Sequence, residues 1–339
     1  MPLFSVIIPT YNRKHFLRRA LRSVMRQSCQ DFEVIVVDDG STDGTEAMVA
    51  GFPRVVYLRQ QNRGPGAARN LGWERATGDY LAFLDSDDLW FPWTLATFAR
   101  CLKAHHRPAF VSGHYFPFYD EKRVREVKEE AFDSKYYRDY FASASAHTWV
   151  GAGGMLVRCD CRARFPTSLH VAEDLYLIMQ LGIEDGFVSI QNPCTFAYRY
   201  HGNNAIVDAE RTFSGLRELV RAEKAGKFPG GRHRGRERRM LLARPARQVG
   251  LRAVEQAQYR KAARIYLETF WWQVESGRWR FLLGLPALAI AGLPRAFRHA
   301  WRNEPATTYS NPENFATLEV TPQEAARRAG IMSADSDEP

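Results

Sequence analysis

Three carboxylates stand within four residues at Asp85-Ser86-Asp87-Asp88, directly after the apolar run Tyr80-Leu81-Ala82-Phe83-Leu84. Like charges at this spacing repel one another, and a divalent cation among them relieves the repulsion; such oxygen ligands suit Mg2+ or Mn2+. Acidic residues also favour loops and helix caps, so Asp87 or Asp88 has an alternative use as the cap of a helix opening at Leu89-Trp90. A second acidic pair, Glu173-Asp174, opens an apolar stretch that runs to Leu181. There the helix dipole favours negative charge with or without chemistry.

The elements that must position these acids follow one pattern. Phe4 to Pro9, Phe32 to Val37, Val55 to Leu58 and Tyr80 to Leu84 are short apolar runs of the kind that form strands buried on both faces. Between them, Phe16, Leu17, Ala20, Leu21, Val24 and Met25 recur at helical spacing, and Thr45 to Val49 and Ala67 to Trp73 also read as helices. Alternating strands and helices predict a mostly parallel sheet with ligands bound beyond the carboxyl ends of its strands. Polar clusters follow each strand: Thr10-Tyr11-Asn12, Asp38-Asp39, Asn62 to Arg69 and Asp85 to Asp88. Any one of them alone is an ordinary turn, whereas four at successive strand ends predict one shared crevice. Further on, the sequence predicts a helix from Pro92 to Ala104, strands over Ala109 to Tyr119 and Val124 to Val127, and a last strand ending in Tyr198-Arg199-Tyr200-His201. Gly151-Ala152-Gly153-Gly154 before Met155-Leu156-Val157 allows either a close backbone approach by a ligand or a tight turn.

At 339 residues and 45% apolar content the chain has enough material for a substantial core. Its five cysteines are odd in number and scattered, which argues against a disulfide framework, and Cys159-Asp160-Cys161 lacks a second ligand pair for a metal clip. No basic n-region with a following apolar stretch and cleavage site opens the chain, so a cytoplasmic catalytic part is expected. The net charge of +9 is concentrated: residues 211–280 hold 18 Lys and Arg against 6 Asp and Glu. That excess calls for an anionic partner, such as a membrane surface or a phosphorylated acceptor. The most apolar run, Phe281 to Pro294, is 14 residues long and carries Pro286. It is short of the roughly 20 needed to span a bilayer, and reads either as an interfacial segment within 278–302, flanked by Trp279, Trp301 and arginines, or as a buried helical hairpin. Residues 303–339 read as a flexible tail.

The motifs Ser5 to Arg13, Val36 to Thr45, Asn62-Arg63-Gly64 through Asn70, Asp85 to Asp88 and Glu173-Asp174, in that order, resemble those of the family 2 inverting glycosyltransferases. The resemblance covers roughly residues 3 to 205. It implies an α/β fold of the GT-A type, a Rossmann-like, mostly parallel sheet flanked by helices, over residues 1–207, with a basic helical C-terminal region at 208–302. It further implies a nucleoside-diphosphate sugar as donor, UDP foremost, and Mn2+ or Mg2+ as cofactor. Pro9, Thr10 and Tyr11 line the nucleotide pocket in this reading, and Asp39, or else Asp38, accepts from the uracil imide. Arg13, Arg69 and Ser86 join the donor-binding set. Asp87 is the main metal ligand, Asp85 sits nearer the ribose and sugar, and His201 closes on the diphosphate or metal. Asp174 is the base, with Glu173 its neighbour or substitute. The acceptor is a glycan or lipid-linked glycan, met at the inner face of the membrane.

The chemistry fits these residue types. A leaving diphosphate gains charge that a cation and an arginine stabilise, and a carboxylate takes the acceptor's proton as its oxygen attacks the anomeric carbon. A nucleotidyltransferase of similar architecture is the enzymatic alternative, but Pro9 to Arg13 holds no glycine for a lysine-bearing phosphate loop. A non-enzymatic basic module, binding nucleic acid, is the other; the acidic residues at the strand ends count against it.

Overall fold

The computed structural model describes residues 1–146, 150–201, 204 and 208–291. Strands β1 (Phe4–Thr10), β2 (Phe32–Asp38), β3 (Val55–Arg59) and β4 (Tyr80–Phe83) alternate with helices α1 (Lys14–Met25), α2 (Thr45–Val49) and α3 (Pro65–Arg75). These strands are parallel and lie in the order β3-β2-β1-β4. In β1, Val6 and Ile8 face one buried layer and Ile7 the opposite one, so a continuous apolar run is what this position requires. Thr10 pairs with Asp38 and Asp38 with Arg59, so these three strands end level. Strand β4 stops earlier, with Phe83 opposite Ile7, and the acidic loop continues alongside the end of β1.

The chain continues through β5 (Leu89–Trp90), α4 (Thr94–Ala104), β6 (Phe110–Phe118), α5 (Glu121–Val124), β7 (Asp133–Tyr137), β8 (Met155–Arg158), α6 (Glu173–Gln180) and β9 (Phe187–Arg199). The sheet extends from β4 through antiparallel β8 to β6 and β9, which are parallel to each other, and β5 and β7 pair antiparallel with β9. Three expectations change here. Leu89-Trp90 forms a short strand against Ala197 and Phe196 instead of opening a helix. The next helix starts at Thr94, two residues after Pro92. Val124 to Val127 is not a strand: α5 covers Glu121–Val124, and the Asp120 carboxylate accepts from the Lys122 amide at 3.0 Å as its cap. The Gly151 to Gly154 stretch is the tight turn of the two alternatives. A Cβ on Gly153 would lie 2.7 Å from Asp88 Oδ2 and 3.1 Å from the Phe196 ring, so the glycine lets those side chains close in.

Helices α7 (Ala209–Lys224), α8 (Gly235–Glu255), α9 (Tyr259–Glu275) and α10 (Trp279–Ala291) follow. Phe213, Leu216, Leu219 and Val220 of α7, Leu242 and Ala246 of α8, and Ile265 and Trp272 of α9 share one buried cluster with Leu177 of α6 and with Leu81 and Phe83 of β4. The other face of the sheet is covered by α1 and α4 through Leu17, Leu21, Val24, Leu95 and Phe98. The result is three layers, helices on both sides of a sheet. Helix α10 runs through Pro286. Proline donates no hydrogen bond to the carbonyl four residues back, and the Tyr266 hydroxyl donates to that Leu282 carbonyl at 2.8 Å instead. Phe281, Leu282 and Leu285 are buried while Trp279 and Leu283 are exposed, so the described part of the 281–294 run packs one face on the fold. The rest of the 278–302 segment, and the 303–339 tail, lie outside the described residues. No helix among the described residues is long and apolar enough to cross a membrane.

Candidate active site

The level ends of β1 and β2 bring the first two polar clusters together. The Asp39 amide donates to the Thr10 carbonyl at 2.8 Å, and the Asn12 amide to Ser41 Oγ at 2.8 Å. Asp38 is fully buried; its carboxylate accepts from the Ser41 amide at 2.7 Å and the Tyr57 hydroxyl at 2.6 Å. Burial, and then the Asp38 carboxylate, push the Tyr57 phenol well above its ordinary pKa, so it stays a donor. The Asp39 carboxylate accepts from Gln60 Nε2 at 2.6 Å and from the Arg63 and Gly64 amides at 2.9 and 2.8 Å. A carboxylate offers about four lone-pair sites, so three donors leave one. Thr10 is buried with its hydroxyl unpartnered, and Tyr11 is 47% exposed at the mouth of the crevice. Pro9 is buried in the β1 ladder opposite Val37.

Beyond β4 the three carboxylates take three different roles. Asp87 Oδ2 accepts from Arg13 Nη1 and from His201 Nε2, the latter at 2.8 Å, and the Asp87 carbonyl accepts from Arg199 Nε at 2.8 Å. Burial favours the neutral acid, but the His201 hydrogen bond and the Arg13 charge outweigh it and hold the Asp87 carboxyl below its ordinary pKa. The His201 ring in turn stacks on Phe16 at 5.3 Å. Asp85 pairs with Arg69 at 2.6 Å; burial in the crevice nonetheless raises its pKa, with the Asp87 charge adding to the effect. Asp88 is buried and does not cap a helix. Its Oδ1 accepts from the Arg199 amide at 2.9 Å, Oδ2 has no partner, and burial followed by the charges of Asp87 and Asp85 raises its pKa well above the usual carboxylate range. Ser86 is buried between them.

Arg69, near the start of α3, joins this loop to α6. Its guanidinium pairs with Asp85 at 2.6 Å and Glu173 at 2.8 Å and lies over the Phe165 ring at 5.2 Å, while Nε finds no partner. Asp174 follows Glu173 in the first turn of α6, half-buried, with the Leu175 amide donating to it at 2.7 Å. Burial, and next the Glu173 charge, push its pKa up to about 7, against the pull of the Leu175 amide and Arg69. A carboxylate with that pKa is matched to taking a proton near neutral pH. The expected residues Arg13, Arg69, Asp85, Asp87, Glu173, Asp174 and His201 are therefore brought together beyond the end of β4, with Asp38 and Asp39 at the end of β2.

Arg199 was not among the expected site residues. Arg199 ties Asp87 and Asp88 to Glu121, whose carboxylate accepts from it at 2.7 Å, and lies over the Phe118 ring at 4.6 Å. Its position directly before Tyr200-His201, at the end of the last strand, was the available signal. Among the described residues no three His, Cys, Asp or Glu side chains converge to cage a metal ion. Mg2+ shared with a diphosphate needs less, one or two carboxylates with phosphate oxygens and water completing its shell. Asp87 and His201, with Asp85 beside them, meet that requirement as a donor set.

Residues 5–159 match the family model described as Glycosyl transferase family 2. The chain is 38% identical over 120 residues to the GalNAc(5)-diNAcBac-PP-undecaprenol beta-1,3-glucosyltransferase of Campylobacter jejuni, covering 34% of this chain and 38% of that one. It is 46% identical over 95 residues to the putative teichuronic acid biosynthesis glycosyltransferase TuaG of Bacillus subtilis, covering 26% and 37%. The match thus spans well under half the length of these curated relatives. Among solved structures, S. aureus TarS 1–349 in complex with UDP-GlcNAc aligns with a TM-score of 0.60 at 19% identity, over 86% of this chain and 93% of that one. That likeness extends the shared fold through the C-terminal helices.

Proposed function

We propose, from the match of residues 5–159 to the glycosyl transferase family 2 model, that the chain moves a sugar from a nucleoside diphosphate, UDP foremost, to a hydroxyl of a glycan or lipid-linked acceptor, with inversion. The observation that carries this reading is Arg69, whose two ion pairs hold the Asp85 loop and the start of α6 together, so the donor residues and Asp174 face one crevice. Asp174 takes the proton of the acceptor hydroxyl as that oxygen bonds to the anomeric carbon and the bond to the diphosphate oxygen breaks. One base on the face opposite the leaving group suffices for inversion. Asp39 offers its remaining lone pair to the uracil imide, and Pro9, Thr10 and Tyr11 flank the base. Arg13 and Ser86 border the diphosphate. A divalent cation held by Asp87 and His201, with Asp85 beside them, would neutralise the charge that develops on the diphosphate. TarS, solved with UDP-GlcNAc, and the mannosyltransferase PcManGT, solved with GDP-Man and Mn2+, support a nucleotide-sugar donor with a metal.

The acceptor works at the cytoplasmic membrane face in this reading, supported by the undecaprenol-linked substrate in the name of the Campylobacter relative. Exposed Trp279 and Leu283 on α10, one turn apart and next to Arg278 and Arg280, support peripheral contact. A thermal-shift panel of nucleotide sugars tests the donor. A UDP-sugar is expected to raise the melting temperature, more so with Mn2+, and Asp87→Ala to remove the Mn2+ increment. A panel in which no nucleotide sugar shifts the transition refutes the reading.

A further inference from the structure

Strand β9 ends at Arg199, and the register of the sheet brings three other segments to it. Leu89 and Trp90 of β5 pair antiparallel with Ala197 and Phe196, so Asp87 and Asp88 run on alongside Arg199. On the other edge Phe118, the last residue of β6, pairs with Arg199, and the Tyr200 amide donates to the Phe118 carbonyl at 2.9 Å. The chain then turns into α5 under its Asp120 cap, which brings Glu121, the first residue of that helix, to Arg199. The Arg199 guanidinium lies over the Phe16 ring at 5.1 Å and the Phe118 ring at 4.6 Å. Its Nε donates to the Asp87 carbonyl at 2.8 Å and its Nη2 to Glu121 Oε1 at 2.7 Å. Only 6% of Arg199 is exposed. Phe16 serves His201 as well, stacking on its ring at 5.3 Å, and the Asn204 side chain joins the Arg199 carbonyl to the His201 amide.

Arg199 thus meets Asp87 through the main chain, while the Asp87 carboxylate accepts from Arg13 and His201. Its ion pair goes to Glu121 instead. A buried guanidinium needs a carboxylate, and without Glu121 the carboxylates nearest to its hydrogen-bond partners are those of Asp87 and Asp88. An arginine drawn onto the Asp87 carboxylate competes with a cation for the same oxygens. We propose that Glu121 is a positioning residue: it holds Arg199 on the Asp87 main chain and off the Asp87 carboxylate, and so keeps Asp87 and His201 set to receive the divalent cation that accompanies the donor diphosphate. Partners behind a metal's ligands orient them in this way. The proposal rests on the reading of the chain as a metal-assisted transferase and adds to it a residue that touches neither the Asp87 carboxylate nor His201. Arg19 of α1 donates to the same Glu121 oxygen at 2.7 Å, but its side chain is 52% exposed, and an ion pair so open to water adds little.

The test is calorimetric titration of the full chain with UDP, once with Mn2+ and once with EDTA, so that the contribution of the cation is read separately from that of the nucleotide. Mn2+ is expected to tighten UDP binding by the unaltered protein. Glu121→Gln is expected to lose about tenfold or more of that tightening while its UDP affinity in EDTA stays unchanged, which also shows that the variant is folded. Arg199→Lys keeps the charge but not the fork that spans the Asp87 carbonyl and Glu121, and is expected to lose the same Mn2+-dependent part. The double variant is then expected to lose no more than the more affected single one, because both act through one contact. Arg19→Gln removes the other partner of Glu121 and is expected to behave as the unaltered protein. Full Mn2+ tightening in Glu121→Gln, equal weakening with and without Mn2+, additive losses in the double variant, or an equal loss in Arg19→Gln overturns Glu121 as a positioning residue. An unaltered protein that binds UDP with no gain from Mn2+ overturns the cation and this proposal with it. Failure of the unaltered protein to bind any UDP overturns the transferase reading instead.

Discussion

Asp174 has its pKa pushed up to about 7, chiefly by burial and then by Glu173, and the direction of its pH dependence follows. As a base it acts only when ionised, so kcat/KM for transfer is expected to rise through about pH 7 and then level. Glu173→Gln removes the neighbouring charge and leaves Arg69 freer to act on Asp174, so the midpoint is expected to move to lower pH in a pH-rate profile. The same raised pKa costs stability. An acid more easily ionised when unfolded penalises the fold from about pH 4 upward, with the full penalty present above about 7. Asp174→Asn is accordingly expected to raise the melting temperature at pH 8 and to lose that advantage as pH falls towards 4, in thermal melts across pH. The meeting of Asp85, Asp87 and Asp174 was legible in the sequence because each stands at the end of a strand or the start of a helix whose periodicity is plain. The role of Asp88 was not: its partner is the Arg199 amide, 111 residues away, and no local spacing reports that approach.

At the scale of elements, the first three βα units and the fourth strand were legible for the same reason, since parallel strands buried on both faces read as unbroken apolar runs. Helix α5 was missed because two valines three residues apart fit a strand edge as well as a helical turn, and the Asp120 cap decides between them only once the fold is known. The ties between elements were also hidden. Arg69 clamps α3, the acidic loop and α6 through two buried ion pairs, and its truncation leaves Asp85 and Glu173 facing each other without a counter-charge. Arg69→Ala is expected to cost about 3 kcal/mol or more in urea unfolding, and to weaken donor binding with it. Arg238 plays a comparable part between α7 and α8. It pairs with Glu223 at 2.6 Å and donates to the Pro229 and Gly231 carbonyls at 2.8 Å, closing the break at Lys227 to Gly231. Arg238→Met is expected to cost a similar amount. Because the pair lies away from the crevice, UDP affinity should survive in conditions where the variant stays folded.

Across the whole molecule, the basic excess of residues 211–280 falls on helices that pack against the sheet and α6. Leu267, Trp271, Trp279 and Leu283 stand exposed on α9 and α10 among arginines, an arrangement suited to a surface both apolar and anionic. Sedimentation with phosphatidylglycerol vesicles is expected to pull the protein down, to weaken with salt, and to weaken further in Trp279→Ala/Leu283→Ser. The sequence showed the charge asymmetry and the apolar run, but not which residues of that run turn inward, because helix packing decides it. The proposed arrangement, a donor crevice closed on one side by a single base, is tested most directly by Asp174→Asn. Release of UDP from the donor sugar is expected to fall by roughly 10²–10⁴-fold while UDP binds with unchanged affinity in calorimetry. An Asp174→Asn protein that turns over its donor at the original rate would contradict the account.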